Sequence, residues 1–195
     1  MHERVARYFA LVSLLLLGGS SYLEEESDAI PNSYLKAASA ARVPADLLYA
    51  MALTESGRTV DEEHGFRPWP WTLNIGGTGK VFVNRSLAQK ELQRRLDEGK
   101  TLVDIGLMQV NWHNHRDKFD SAYQALNPIK NLAVGADILR SCYERERDWW
   151  LAVGCYHAPN SADRAGKYRE RVRRNLDLYV AVSRKNKNLT EYSAG

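Results

Sequence analysis

Glu55 stands where a carboxylate is expensive. It follows Leu47-Leu-Tyr-Ala-Met-Ala-Leu53, a run apolar on every side, and sits between Thr54 and Ser56 just before Gly57. A helix that is apolar all round belongs inside a core, and a lone carboxylate there is unfavourable unless it is paired or used. The last turn of a helix is also its electronegative end. Burial and the helix dipole both favour the protonated acid and push its pKa up. A carboxylic acid that keeps its proton near neutrality is what general acid catalysis needs. The alternative is that the helix end surfaces and Glu55 is solvated.

Two further segments set polar groups in apolar company. Asp104-Ile-Gly-Leu-Met-Gln-Val-Asn-Trp112 places Gln109 and Asn111 directly after an apolar Gly-Leu-Met. Gly106 permits close backbone approach, and the two amides offer donors and acceptors suited to sugar hydroxyls and N-acetyl groups. A buried turn whose amides satisfy themselves is the alternative. Ala152-Val-Gly-Cys-Tyr-His-Ala-Pro-Asn160 ends an apolar helix on Tyr156, whose hydroxyl could aim at Glu55; a plain core tyrosine is the other reading. His113-Asn-His115 lacks the HExxH spacing and a placed carboxylate, so no metal is expected.

These groups need elements to hold them. Ser33 can cap a helix through about Ala41, and Pro44 opens a second that runs to Ser56. Residues 71–75 and 80–83 flank Gly76-Gly-Thr-Gly79 and read as a small hairpin. Ser86 and Gln89 form a capping box for a helix with Ala88, Leu92 and Leu96 on its apolar stripe, ended by Gly99. Leu132, Ala136, Leu139 and Tyr143 mark one face of another helix, and residues 149–156 read as a buried one. Tyr168, Val172, Leu176 and Tyr179 mark a last amphipathic helix. Its outer face carries Arg164, Lys167, Arg169, Arg171, Arg173 and Arg174, and reads as a solvated face. Residues 185–195 form a polar tail expected to fray. The fold class is mainly α, a single domain over residues 22–184 with a small β-hairpin insert.

The chain has 195 residues, 44% hydrophobic and 26% charged. That is globular composition and sets aside disorder, collagen and a multi-span membrane protein. A net charge of +3 is too weak to argue for nucleic acid, and no nucleic-acid motif is present, though it suits an anionic polymer. Residues 1–21 place Arg4 and Arg7 before an apolar run and then small residues, the pattern of an export signal. The run is shorter than the roughly 20 residues of a membrane span. Left uncleaved, it would act as an inner-membrane anchor of a periplasmic domain. In an oxidising compartment Cys142 and Cys155, the only cysteines, are expected to bond to each other; two buried free thiols are the alternative.

Taken in order, residues 34–56, Gly106-Leu-Met-Gln-Val-Asn111, Asn131-Leu-Ala-Val-Gly-Ala136 and Ala152 to His157 resemble the soluble lytic transglycosylase (SLT) family. The resemblance implies a lysozyme-like (goose-type/SLT) fold and cleavage of peptidoglycan glycan strands without a cofactor. It places Glu55 on the family's catalytic acid/base with Ser56 beside it. Met108, Gln109 and Asn111 fall on its substrate-cleft motif and Tyr156 on its cleft tyrosine.

Three departures stand out. Gly106 follows Glu55 by 51 residues, where the family has a short link. The insert, with Trp69-Pro-Trp-Thr-Leu-Asn74, resembles the branch encoded with conjugation, pilus or secretion systems, whose components become implied partners. A serine of the family's short link has no counterpart in place, and Thr72 or Asn74 could substitute as a substrate contact. The family's Tyr-Asn reads Tyr156-His157 here. Trp69 and Trp71 are expected either to stack on a sugar face along one cleft wall or to anchor the insert.

The implied reaction breaks the β-1,4 bond between N-acetylmuramic acid and N-acetylglucosamine and leaves a 1,6-anhydro sugar, opening the wall locally for an envelope-spanning apparatus. Two rivals are kept. One is a lysozyme-like hydrolase, related to the goose type, with Asp61, Glu62, Glu63 or Asp104 as a second carboxylate. The other is a non-catalytic wall-binding assembly protein that retains the fold.

Overall fold

The run from Leu47 to Leu53 forms the middle of α2 (Ala45–Ser56), and every residue in it is buried. The computed structural model describes residues 30–61 and 65–193, and side-chain burial as far as residue 181. Residues 1–21, read from the sequence as an export signal, and Glu62 and Glu63 lie outside the described residues. α1 (Asn32–Ala41) begins at Pro31 without a side-chain cap. Ser33, the expected cap, falls inside the first turn, because the fixed φ of proline already sets the helix entry.

α2 passes without a loop into β1 (Gly57–Thr59), which pairs antiparallel with β2 (Phe66–Pro68). A side chain at Gly57 would run into the Leu53 carbonyl and the Phe66 ring, so only glycine lets the chain turn there. β3 (Thr72–Ile75) and β4 (Thr78–Val81) form the expected hairpin through Gly76 and Gly77, both at positive φ, as the preferred two-residue turn requires. The sheet then continues with β5 (Val103–Ile105) and β6 (Val110–Asn111), in the antiparallel order β4-β3-β5-β6. Asp104 lies at its centre, in register with Asn74 on one side and Asn111 on the other.

α3 (Arg85–Asp97) is capped by Asn84, whose Oδ1 accepts from the Leu87 amide at 3.0 Å. The capping box at Ser86 and Gln89 does not form. Asn84 already has the extended backbone a cap needs and precedes both residues. After the short helices α4 (Trp112–His115) and α5 (Ala122–Ala125), Asn127 caps α6 (Pro128–Glu146) and Pro128 takes its first position. Asp148 caps α7 (Trp149–His157), and α8 (Ala162–Ser193) follows.

α6 packs on α1 and α7, and α8 packs on α2 and α7, so α2 lies between α1 and α8. Tyr49 of α2 meets Tyr34 and Tyr179 edge to face at 4.9 and 5.4 Å. α7 is less buried than its composition predicts. Ala152 to Cys155 are buried, but Leu151 is 46% exposed, and Trp149 and Trp150 lie at the rim. There Trp149 stacks on Tyr143, and the Arg173 guanidinium covers Trp150. The basic face of α8 is solvated as expected, with Arg164, Lys167, Arg171, Arg173 and Arg174 exposed. Arg171 donates to the Thr54 carbonyl at 3.1 Å, and Lys167 pairs with Asp163. α8 also continues to Ser193, past the start of the expected polar tail. Among the described residues no helix is long and apolar enough to cross a membrane.

Cys142 of α6 and Cys155 of α7 are bonded, with their Cα atoms 5.8 Å apart. Closing a loop of 13 residues restricts the unfolded chain by about 3 kcal/mol. Replacing both cysteines by alanine should therefore lower the unfolding free energy by about 3 kcal/mol in a urea titration. An unchanged midpoint would show that the helix pair needs no covalent link.

Candidate active site

The loop Gly106 to Gln109 joins β5 to β6 and doubles back over α6. Gly106 has φ +77°, and a Cβ there would stand 2.8 Å from the Asn131 amide. Asn131 of α6 is 1% exposed. Its Oδ1 accepts from the Met108 amide at 2.9 Å, and its Nδ2 donates to the carbonyls of Ile105 at 2.8 Å and Ala125 at 3.0 Å. The Met108 side chain is wholly buried over Gly135, where any Cβ would press on it. Ser56 donates to the Leu107 carbonyl at 2.8 Å, and Tyr156 donates to the Met108 carbonyl at 2.6 Å. The loop is thus strapped to α2, α6 and α7 through its own backbone.

This strapping decides what each expected substrate contact can offer. Ser56 and Met108 are buried and serve as framework. Gln109, at φ +44°, turns its Nε2 to the carbonyls of Thr72 at 3.1 Å and Gly106 at 2.9 Å. Its Oε1 has no partner among the described residues. The Thr72 hydroxyl donates to the Trp69 carbonyl at 3.0 Å and is not open to a ligand. Asn74 and Asn111 direct their amides at Asp104, reaching its Oδ2 at 3.1 Å and its Oδ1 at 2.7 Å. The Asn111 Oδ1 also caps α4 through the Asn114 amide. The sheet register thus turns both asparagines into holders of a carboxylate.

Glu55 has a side chain only 10% exposed. Burial is the main reason its pKa is pushed up to about 7; Tyr168 and Arg171 oppose the rise, and Asp104 adds slightly to it. Tyr156 gives its hydroxyl to Met108 and not to Glu55, contrary to the sequence expectation. The loop carbonyl lies in its path and is a better acceptor than a protonated acid. Tyr168 of α8 is the hydroxyl that faces Glu55. It is buried and makes no hydrogen bond of ordinary geometry, yet it stands close enough to oppose the rise in the Glu55 pKa. His157 Nδ1 lies 4.0 Å from Glu55 Oε1, and its ring stacks on Tyr168 with centroids 4.3 Å apart. The Asp104 carboxyl is also raised by burial, against the two amides that hold it.

Trp69 and Trp71 meet edge to face at 5.1 Å. The Trp69 indole N–H donates to the Phe82 carbonyl at 2.7 Å, and Trp71 packs against the core, so both brace the insert. Among the described residues no three His, Cys, Asp or Glu side chains gather as a metal ion would need. Sequence reasoning gave Tyr168 only a place on an apolar stripe. Nothing in helical spacing separates a core tyrosine from one that faces an acid.

A helical frame with a small sheet, and a buried acid on the helix whose Ser56 straps a Gly-Leu-Met-Gln loop, has the lysozyme-like plan. The chain belongs to the family described as the Transglycosylase SLT domain, whose model matches residues 32–177. Over 114 residues it is 32% identical to the type IV secretion system protein virB1 of Brucella abortus, and equally to those of Brucella melitensis and Brucella suis. The match takes in 52% of this chain and 46% of each relative, so it spans about half the length of the curated relatives. No solved structure matches the chain.

The raised acid has a consequence for stability. Glu55 goes from 4.5 to about 7 on folding, so the stability it contributes is full below pH 4.5 and is lost as pH rises through 7. A Glu55→Gln variant does not titrate there. Relative to the wild type it should gain about 3 kcal/mol between acid and mildly alkaline pH, read by urea unfolding at each pH. A gap that stays constant with pH would place Glu55 in water.

Proposed function

We propose that this protein is a peptidoglycan lytic transglycosylase that opens the wall for a type IV secretion apparatus. The observation that carries the reading is Glu55, a buried acid still protonated near neutrality, in a chain of the SLT family. Glu55 protonates the glycosidic oxygen between N-acetylmuramic acid and N-acetylglucosamine as that bond breaks. The substrate's own N-acetyl group supports the resulting cation, and the Gln109 Oε1, which its Nε2 bonds to Thr72 and Gly106 leave unused, would accept from the substrate's amide N–H. Glu55, now a carboxylate, takes the proton of the muramyl 6-hydroxyl as its oxygen closes on the anomeric carbon. No water is consumed, and the acid is restored.

The secretion role rests on the relatives' name and on the long insert between the two cleft motifs. Periplasmic placement, or tethering at the inner membrane if the leader is kept, rests on the export-signal pattern at residues 1–21 and fits the bonded cysteines.

Asp104 supports a second reading. It is a carboxylate held by two amides, and its charge is felt at Glu55. With it as base or nucleophile, water would give hydrolysis. The tethered 6-hydroxyl competes from a high effective concentration, which favours the anhydro product. Purified sacculi digested with the protein should yield muropeptides ending in 1,6-anhydromuramic acid, each one water lighter than its hydrolysed equivalent. Spectra dominated by reducing ends would establish the hydrolase. Glu55→Gln should fold and lose at least ~100-fold in activity. Full activity in that variant would remove Glu55 from the chemistry, whereas a wild type that binds sacculi without releasing products would be the wall-binding assembly protein.

A further inference from the structure

His157 has no part in the reaction just described, yet it stands beside the acid. It ends α7 with 38% of its side chain exposed, against 10% for Glu55, so it lies on the solvent side of the carboxyl. At 4.0 Å its Nδ1 is beyond an ordinary hydrogen bond to Oε1 but within reach of a strong charge interaction. The ring lies flat on Tyr168, with 5° between the planes, which fixes its orientation. Tyr168 in turn faces Glu55, so the stacked pair of rings lies beside the carboxyl.

The charges around this stack come from each element packed against it. Glu55 projects from α2, and Tyr168, Arg164 and Arg171 from α8. Tyr156 precedes His157 on α7, and Asp104 of β5 acts on both Glu55 and Tyr156. Arg171 is held by its bond to the Thr54 carbonyl, one residue before the acid. Burial, Arg171 and Arg164 together hold the imidazole below its ordinary pKa.

We propose that His157 is a positioning residue whose uncharged imidazole lets Glu55 act as acid and then as base, and whose protonation stops the cycle. The proposal rests on the reading of Glu55 given above. Glu55 must release a proton and then recover one from the 6-hydroxyl. A neutral imidazole permits both steps. An imidazolium 4.0 Å away stabilises the carboxylate, which helps the release but makes the carboxylate a weaker base in the return. The acidic limb of the pH–rate profile therefore belongs to His157, and the alkaline limb, near 7, to Glu55.

The test uses the full chain, with rates of muropeptide release measured across pH at sacculi well below saturation, where the profile reports the free protein's groups. The wild type should give a bell. In His157→Asn the acidic limb should vanish. One pH unit below the wild-type limb, the rate relative to plateau should rise about tenfold, which is the loss a single protonation imposes there. In parallel, the ring protons of His157 followed by NMR should show two inflections, its own and a smaller one near 7 from Glu55, the latter absent in Glu55→Gln.

An active Glu55→Gln variant would overturn the reading of Glu55 and this proposal with it. An inactive Glu55→Gln together with an unchanged acidic limb in His157→Asn would overturn this proposal alone. Should His157→Asn fail to fold, the NMR titration decides, and a single inflection in the wild type overturns the coupling.

Discussion

The side-chain amide of Asn131 spends both its donors and its acceptor on backbone groups of three separate segments. Each of those groups would cost about 1–3 kcal/mol if buried unpaired, so the amide has no cheap alternative position. Gly106 exists to let the chain come close enough for this, since any side chain there would strike the amide. Once the loop is seated, its two outward carbonyls are fixed, and Ser56 and Tyr156 close on them from α2 and α7. The acid at the end of α2 and the tyrosine on α7 thus take their places from the backbone of a short loop that neither helix contains.

Electrostatics at Glu55 is a contest in which burial wins. Arg171 and the Tyr168 hydroxyl both favour the carboxylate, yet the group still titrates near neutrality. Tyr168 gives up little of its own hydrogen bonding to the acid in the resting state, because it lies beside it without ordinary bonding geometry. A group so placed interacts more strongly with the anion than with the neutral acid. The Tyr168 hydroxyl therefore eases the penalty that burial sets on the carboxylate without removing it, and the surroundings as a whole still favour the protonated acid. The same sheet that holds Asp104 between two amides keeps a second carboxyl fixed in orientation within range of the first.

The sequence was legible where one segment decides its own fate. The apolar run before Glu55, the Gly76-Gly77 turn and the stripes of α6 and α8 all appear where periodicity and turn chemistry place them. It was illegible where the partner comes from afar. β5 and β6 are three and two residues long, too short for any alternation to register, and only the sheet reveals that Asn74 and Asn111 flank Asp104. Thr72 and Ser56 carry hydroxyls that look available until the carbonyls of Trp69 and Leu107 arrive. Asn84 and Ser86 are both good caps, and spacing alone favours the wrong one, because the extended backbone before the helix is decided by the preceding strand.

The bond between Cys142 and Cys155 bears on timing as well as on stability. α7 spans only Trp149–His157, too short to persist as a helix without its neighbours. Cys155 immediately precedes Tyr156 and His157, so the bond pins the same turn that carries them. A pinned turn samples a narrower range of positions and returns faster after each excursion. The cross-link therefore acts as a damper on the groups beside Glu55, and reduction would blur their alignment well before it unfolded the domain.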